Sequence, residues 1–492
     1  MLCIFFQSLF RRVPNLVGAL LLQAFVLCAF ESEVRSQEIP TQLHMSDVNS
    51  NANRFAMGGS DQNTNTAAGP FGGTTSSQRT PVSLRPFQLA SPRAHLFGDL
   101  FGLRSEAEDA GIHPTISFVT DIAGNVSGGM NQAVSHADNL GLDLLCELDK
   151  LIGLDGGSFL ASVSLRSGSS LSSQHVGNVF TIQQVYGGQT FHLIDLAYQQ
   201  KLMDDRLEIR LGRLAAGDDF LVSPYNWLFM QNGFNGNPVG IFFNSPGMTA
   251  YPNATWGALV KVRPTERTYV MGGVYNGDRS IRAIENNGAN MSMNGPVFVI
   301  GEAGYQRNGL SRDTGLLGNY RIGGWYDNAT FTDFESVGHG GPSATKRGNW
   351  GLYTLVDQVL ISFDGRSRNS GLGICGSFLV SPDESVSQMP YFFTAGVVAR
   401  GFLPSRPTDM AGFGVVCGHF SSDLQLAQER EQFFDPTAGV QTRETVLEWT
   451  YRFYFGKRAV FFQPDIQYVI RPRGTGRIQN ALVLGCQIGF NF

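Results

Sequence analysis

Glu208, Arg210 and Arg213 are followed closely by Asp218 and Asp219, and then by Tyr225, Asn226, Trp227, Gln231, Asn232 and Asn235. Carboxylates, amides and guanidinium groups exchange hydrogen bonds with hydroxyls, while aromatic rings stack on apolar ring faces. The set suits reversible contact with polyhydroxylated rings such as sugars, without making or breaking a bond. Glu448, Arg452 and Asp465 supply the same group types far downstream. The competing structural reading is that Asp218 and Asp219 solvate or cap a loop and that Trp227 anchors it by packing. Covalent chemistry finds less support. The eight histidines show no His-x-x-x-His spacing, and neither a Gly-x-Ser-x-Gly elbow nor a phosphate-binding loop is present. His192 and His419 stand isolated, and Cys146, Cys375, Cys417 and Cys486 are too far apart for a zinc or thioredoxin-like motif. No cofactor or metal is implied, and the chain is not expected to be an enzyme.

The elements carrying these residues have a period of two. In 445–455, Leu447, Trp449, Tyr451, Phe453 and Phe455 share one face, and Glu448, Thr450 and Arg452 the other. The next segment sets Phe462, Ile466, Tyr468 and Ile470 against Gln463, Asp465 and Gln467, and 205–214 sets Leu207, Ile209 and Leu211 against Glu208 and Arg210. The last residues alternate as cleanly, from Leu482 to Phe492.

Sixteen strand-like segments follow Pro114: 115–126, 139–149, 157–168, 190–200, 205–214, 254–264, 267–277, 296–306, 315–327, 349–363, 370–380, 390–401, 409–420, 443–455, 459–470 and 480–492. Each is near, or longer than, the roughly 9–11 residues with which a tilted strand crosses a bilayer. Segments 370–380 and 390–401 alternate poorly. Gaps after even-numbered segments are short, and those after odd-numbered ones are usually long, above all 215–253. An up-and-down membrane barrel gives this rhythm, with tight turns on one rim and long loops on the other. The fold expected is all-β: a 16-stranded antiparallel transmembrane β-barrel, apolar face to lipid and charged face to the lumen. Loop 215–253 would fold inward and narrow it, and Phe492 would anchor the closing strand and act as an assembly signal.

Composition agrees. Only 16% of residues are charged, while 59 glycines and 37 phenylalanines suit strands, turns and aromatic girdles better than helices. A net charge of −5 gives no nucleic-acid footprint. Beyond the N-terminus no apolar run approaches the ~20 residues of a membrane helix. Arg11 and Arg12 before the apolar stretch Val13 to Phe30 read as a secretory signal over 1–36, with an uncleaved anchor helix as the competing reading. Residues 37–90 are too polar to offset their ordering entropy and read as a disordered periplasmic segment. Region 91–113 holds a short helix over 99–110, with Asp99 at its start and Gly111 as its stop, and 114–492 forms the barrel.

Leu96-Phe-Gly-Asp-Leu-Phe-Gly-Leu-Arg104, Asp109-Ala-Gly-Ile112, Gly124-Asn-Val-Ser-Gly-Gly129 and the run from Arg210 to Ser223 occur in an order and spacing that resemble the OprB family of carbohydrate-selective porins. Val262-Arg-Pro-Thr265, Val274-Tyr-Asn-Gly-Asp278, Glu444-Thr-Val-Leu-Glu448 and Gln463-Pro-Asp-Ile-Gln-Tyr468 extend the resemblance over nearly everything after residue 90. It implies a porin of the cell outer membrane that passes monosaccharides such as glucose and other small polar solutes by diffusion, with the 99–110 helix at the periplasmic end. Gly217 stands before Asp218 where the family pattern suggests an acidic or polar residue, so the preferred sugar is not carried over. The partners implied are small sugars, outer-membrane lipids and the barrel assembly machinery, with a homotrimer as the common porin arrangement and no nucleic acid. A general or anion-preferring porin and an outer-membrane hydrolase are the alternative functions.

Overall fold

The computed structural model describes residues 95–187, 190–234, 236–309, 315–363, 370–455 and 459–492. The expected signal (1–36), the polar segment (37–90), Asn235 and the turn at 456–458 lie outside the described residues.

Sixteen strands form one closed antiparallel barrel in which each pairs with its sequence neighbour and β1 pairs with β16. They are β1 (Ile112–Gly129), β2 (Val134–Glu147), β3 (Gly157–Gly168), β4 (Thr190–Leu202), β5 (Leu207–Leu214), β6 (Thr255–Thr265), β7 (Thr268–Asn276) and β8 (Val297–Arg307). The circle continues through β9 (Gly318–Thr332), β10 (Thr345–Ser362), β11 (Gly371–Val380), β12 (Tyr391–Arg400), β13 (Met410–His419), β14 (Arg443–Phe455), β15 (Val460–Ile470) and β16 (Gln479–Asn491). Every segment expected from alternation is a strand.

Alternation fixes which face looks where. Trp449, Phe462, Ile466 and Leu484 are exposed on the outer wall, while Glu448, Arg452, Asp465 and Gln487 are buried on the inner one. Lipid requires every backbone group of the wall to be paired within it, and closure leaves no edge. The seam runs from Ser117 opposite Asn491 to Gly129 opposite Gln479. Near its long-loop end, Gly128 has a φ of +71°, and a Cβ there would sit 1.8 Å from the Asn480 carbonyl oxygen. Only glycine permits that approach.

β11 and β12 alternate in burial as regularly as the rest. Their sequences hide it because inward positions hold Gly373, Cys375, Leu379, Phe392 and Val398 instead of charges. These residues face packed protein rather than water.

The expected helix over 99–110 is a left-handed turn at Leu100–Gly102 followed by an α-helix (Leu103–Asp109). Asp99 does accept from Ser105, through the backbone N–H at 2.8 Å and the hydroxyl at 2.9 Å, which satisfies a first-turn amide of the α-helix. The segment lies at the short-turn rim, where the Leu96 amide donates to the Asn491 carbonyl at 2.8 Å.

Candidate functional site: the loop-filled lumen

β5 stops at Leu214, and the chain turns off the wall into the lumen until β6 resumes at Thr255. The turn begins with a 3-10 helix (Ala216–Asp218). The Asn237 amide holds it from across the loop, donating to the carbonyls of Gly217 and Phe220 at 2.8 Å each. Phe220, Trp227, Leu228, Phe229, Met230, Phe234 and Ile241 are at most 1% exposed. An apolar cluster this buried belongs to a folded plug rather than to a solvated loop. It rests on a floor of wall glycines. A Cβ on Gly373 would meet the Tyr225 ring, one on Gly412 would meet Leu228 and Phe229, and one on Gly414 would lie 2.4 Å from Phe234.

Wall polar groups take up the loop's backbone. Glu448 accepts from the Met230 amide at 2.5 Å and from that of Gln231. Arg452 Nη2 donates to the Trp227 and Leu228 carbonyls at 3.3 Å each, and its guanidinium lies 4.5 Å from the Phe461 ring centroid. Gln463 donates to the same Leu228 carbonyl at 2.6 Å. On the opposite wall Glu302 accepts from the Leu221 amide at 3.0 Å, Asp357 accepts from the Ser223 hydroxyl, and Asp327 takes the Ser245 hydroxyl and Gly247 amide at 2.8 Å each. Buried backbone groups are costly to leave unpaired, so these contacts fix the loop's depth.

A second loop folds inward as well, which the sequence reading missed. In the β3–β4 connection, the Val179 and Phe180 amides donate to Glu444 at 2.9–3.0 Å. Gln183 donates to the Asp121 carbonyl at 3.1 Å, and the Val185 amide donates to the Asp121 carboxyl at 3.2 Å. The two loops join directly, Gln231 donating to the Phe180 carbonyl at 2.8 Å and the Asn232 amide to that of Thr181 at 2.9 Å. The available signal was the row Val179, Phe180, Ile182 and Val185, more apolar than a loop in water needs.

Toward the short-turn rim from the β5–β6 loop, β4 to β10 carry a belt of paired charges. Arg210 donates to Gln199 at 2.9 Å, Glu208 at 3.1 Å and Asp219 at 2.9 Å. Arg263 lies 3.7 Å from Glu208, and Lys261 stands 4.6 Å from the Tyr269 ring centroid. Arg321 pairs with Asp357 at 3.2 Å and donates to the Tyr269 hydroxyl, which donates to Glu302.

The structure thus divides the residues singled out from sequence. Glu208, Arg210 and Asp219 come together in the belt, with Asp218 half-buried beside them. Arg213 turns elsewhere, donating to the Ile194 carbonyl at 2.9 Å and to that of Asn290 at 3.3 Å. Glu448 and Arg452 hold the loop, and Asp465, buried on the same inner wall, accepts from Gln467 at 2.9 Å. Trp227 is 1% exposed and offers no ring face to a solute in this arrangement. The ring lies in the core of the plug, the arrangement expected of the packing alternative. Burial raises the Tyr225 phenol above its usual range and pushes Tyr251 up to about 12, so both stay un-ionised. His192 is buried in the wall and His419 lies at the long-loop rim near Tyr391, and no cluster of metal ligands occurs among the described residues.

A family model described as carbohydrate-selective porin, OprB family, matches residues 131–492. Porin B of Pseudomonas aeruginosa is 26% identical over 424 residues, covering 80% of this chain and 90% of the relative. The putative porin QuiX of Acinetobacter baylyi is 26% identical over 430 residues, covering 81% and 93%. Among solved structures, the high-pH structure of Pseudomonas putida OprB superposes with a TM-score of 0.76 at 26% identity, over 82% of this chain and 99% of that one.

Proposed function

This chain belongs to the OprB family of carbohydrate-selective porins, and from that premise we propose how its lumen selects a solute. It is an outer-membrane channel for passive carbohydrate passage and not a hydrolase. The inward loops narrow the lumen, and the belt of Glu208, Arg210, Asp219, Lys261, Arg263, Tyr269, Glu302 and Arg321 discriminates solutes, favouring monosaccharides such as glucose.

What carries this reading is the pairing of charge. Arg210 lies between two carboxylates, and Arg263 and Arg321 each lie near one. Such a belt offers many donors and acceptors with little net field, which suits a neutral polyol better than an anion. Single-channel recording in planar bilayers tests it: glucose should reduce the current at fixed voltage, and the reversal potential in a salt gradient should stay close to zero. Strong anion selectivity with no response to a series of sugars would sink the reading in favour of a general anion-preferring porin.

The finer assignments belong to the same proposal. Residues 1–36 act as an export signal, and 37–90 with the short helix lie on the periplasmic side. Outer-membrane lipids cover the outer wall, the assembly machinery reads Phe492, and the barrels associate as homotrimers. Removing Phe492 should then impair membrane insertion more than sugar block, and crosslinking in native membranes should give a trimer band.

A further inference from the structure

The segment just before β1 is apolar and exposed. Leu96, Phe97, Leu100, Phe101 and Leu103 are 42%, 57%, 39%, 106% and 39% exposed. Single exposed apolar residues are ordinary, but five within eight positions are not.

The ends of this segment are tied to the C-terminus of the chain. His95 Nδ1 lies 2.8 Å from the Phe492 main-chain oxygen, and Arg104 Nη2 donates to that oxygen at 2.7 Å. Arg104 also lies 3.1 Å from His95 Nε2. The Phe97 ring stacks on that of Phe492 at 5.8 Å. Leu100 and Phe101 adopt φ values of +49° and +63°, a region unfavourable for large side chains. The backbone is thus constrained in a way that turns Phe101 wholly outward.

The patch continues the lipid-facing wall. Phe492 meets Phe490 edge-on at 5.1 Å, and Phe490 meets Phe118 at 5.2 Å. Glu106, Glu108 and Asp109 follow on the next turn, so the segment is apolar where it adjoins the wall and acidic beyond.

We propose that Leu96 to Leu103 form an interfacial anchor, inserting their side chains among the phospholipid acyl chains of the periplasmic leaflet at the barrel seam. The assignment rests on the outer-membrane reading and on the short-turn rim being periplasmic. Aromatic and aliphatic residues bound at a membrane boundary bury their apolar bodies in lipid and leave charged neighbours in water.

The test uses the full chain in phosphatidylcholine nanodiscs, which leave both rims accessible. Phe101→Cys and Glu106→Cys are compared for reaction with a membrane-impermeant maleimide, the unsubstituted protein giving the background of its own cysteines. Insertion should slow the Phe101→Cys reaction by roughly ten-fold or more relative to Glu106→Cys. A bimane on Phe101→Cys should also be quenched by a phospholipid bearing an acyl-chain nitroxide. Equal reaction rates would overturn the proposal. So would slow reaction without quenching, which would assign the patch to a protein cover. Heat-modifiable gel migration checks that both variants fold, so a failed barrel cannot pass for a negative result.

Discussion

Arg452 shows how one side chain can set the position of a loop. It spans from the wall to two loop carbonyls while its planar face covers Phe461. Arg452→Met keeps much of the volume but leaves the Trp227 carbonyl without this donor, at a cost of about 1–3 kcal/mol, while Leu228 keeps its bond from Gln463. Conductance should rise and become noisier while the barrel stays heat-modifiable; an unchanged, quiet current would show that Arg452 does not hold the loop. Trp227→Ala should remove about 3–5 kcal/mol of packing from the plug. Sugar block should weaken together with a gain in protease sensitivity of the β5–β6 loop, whereas Trp227→Phe should retain most of both. Loss of block in Trp227→Ala without loop loosening would favour the stacking role instead. Alternation in the sequence placed Glu448, Arg452 and Asp465 on the inner face. It could not tell what that face meets, because the partners are backbone groups of a loop 218 residues upstream.

At the scale of elements, the two inward loops and the glycine floor form one packed unit. Gly414→Val should drive a methyl into Phe234, an overpacking cost of about 1–3 kcal/mol. We expect a displaced loop, higher conductance and weaker sugar discrimination, with strand content unchanged by circular dichroism. Wild-type conductance in that variant would mean that the aromatic cluster does not depend on the floor. The strands themselves were legible wherever lumen-facing residues were charged, as in β5, β14 and β15. They were obscured in β11 and β12, where Gly373, Cys375 and Phe392 replace polar residues because a loop covers them. The inward β3–β4 connection went unread because its anchors are carboxyls on distant strands, Asp121 and Glu444. Local sequence records the apolar residues of such a loop but not their destination.

For the whole molecule, closure between β1 and β16 is the step on which everything else depends. Gly128→Val cannot fit against the Asn480 carbonyl without parting the seam's upper end. It should lower the yield of heat-modifiable barrel, and a normal yield would show that the strands can separate there at little cost. Closure also orders events in time. The loop between β5 and β6 leans on β14 and β15, and the contacts that hold it reach across 218 to 235 positions of chain. Contacts of such long range form late. A barrel whose last strands have not yet joined therefore lacks the supports of its own filter. On the proposed role of that loop, selectivity is acquired only at the final moment of assembly, and a stalled intermediate would be a wide, undiscriminating leak.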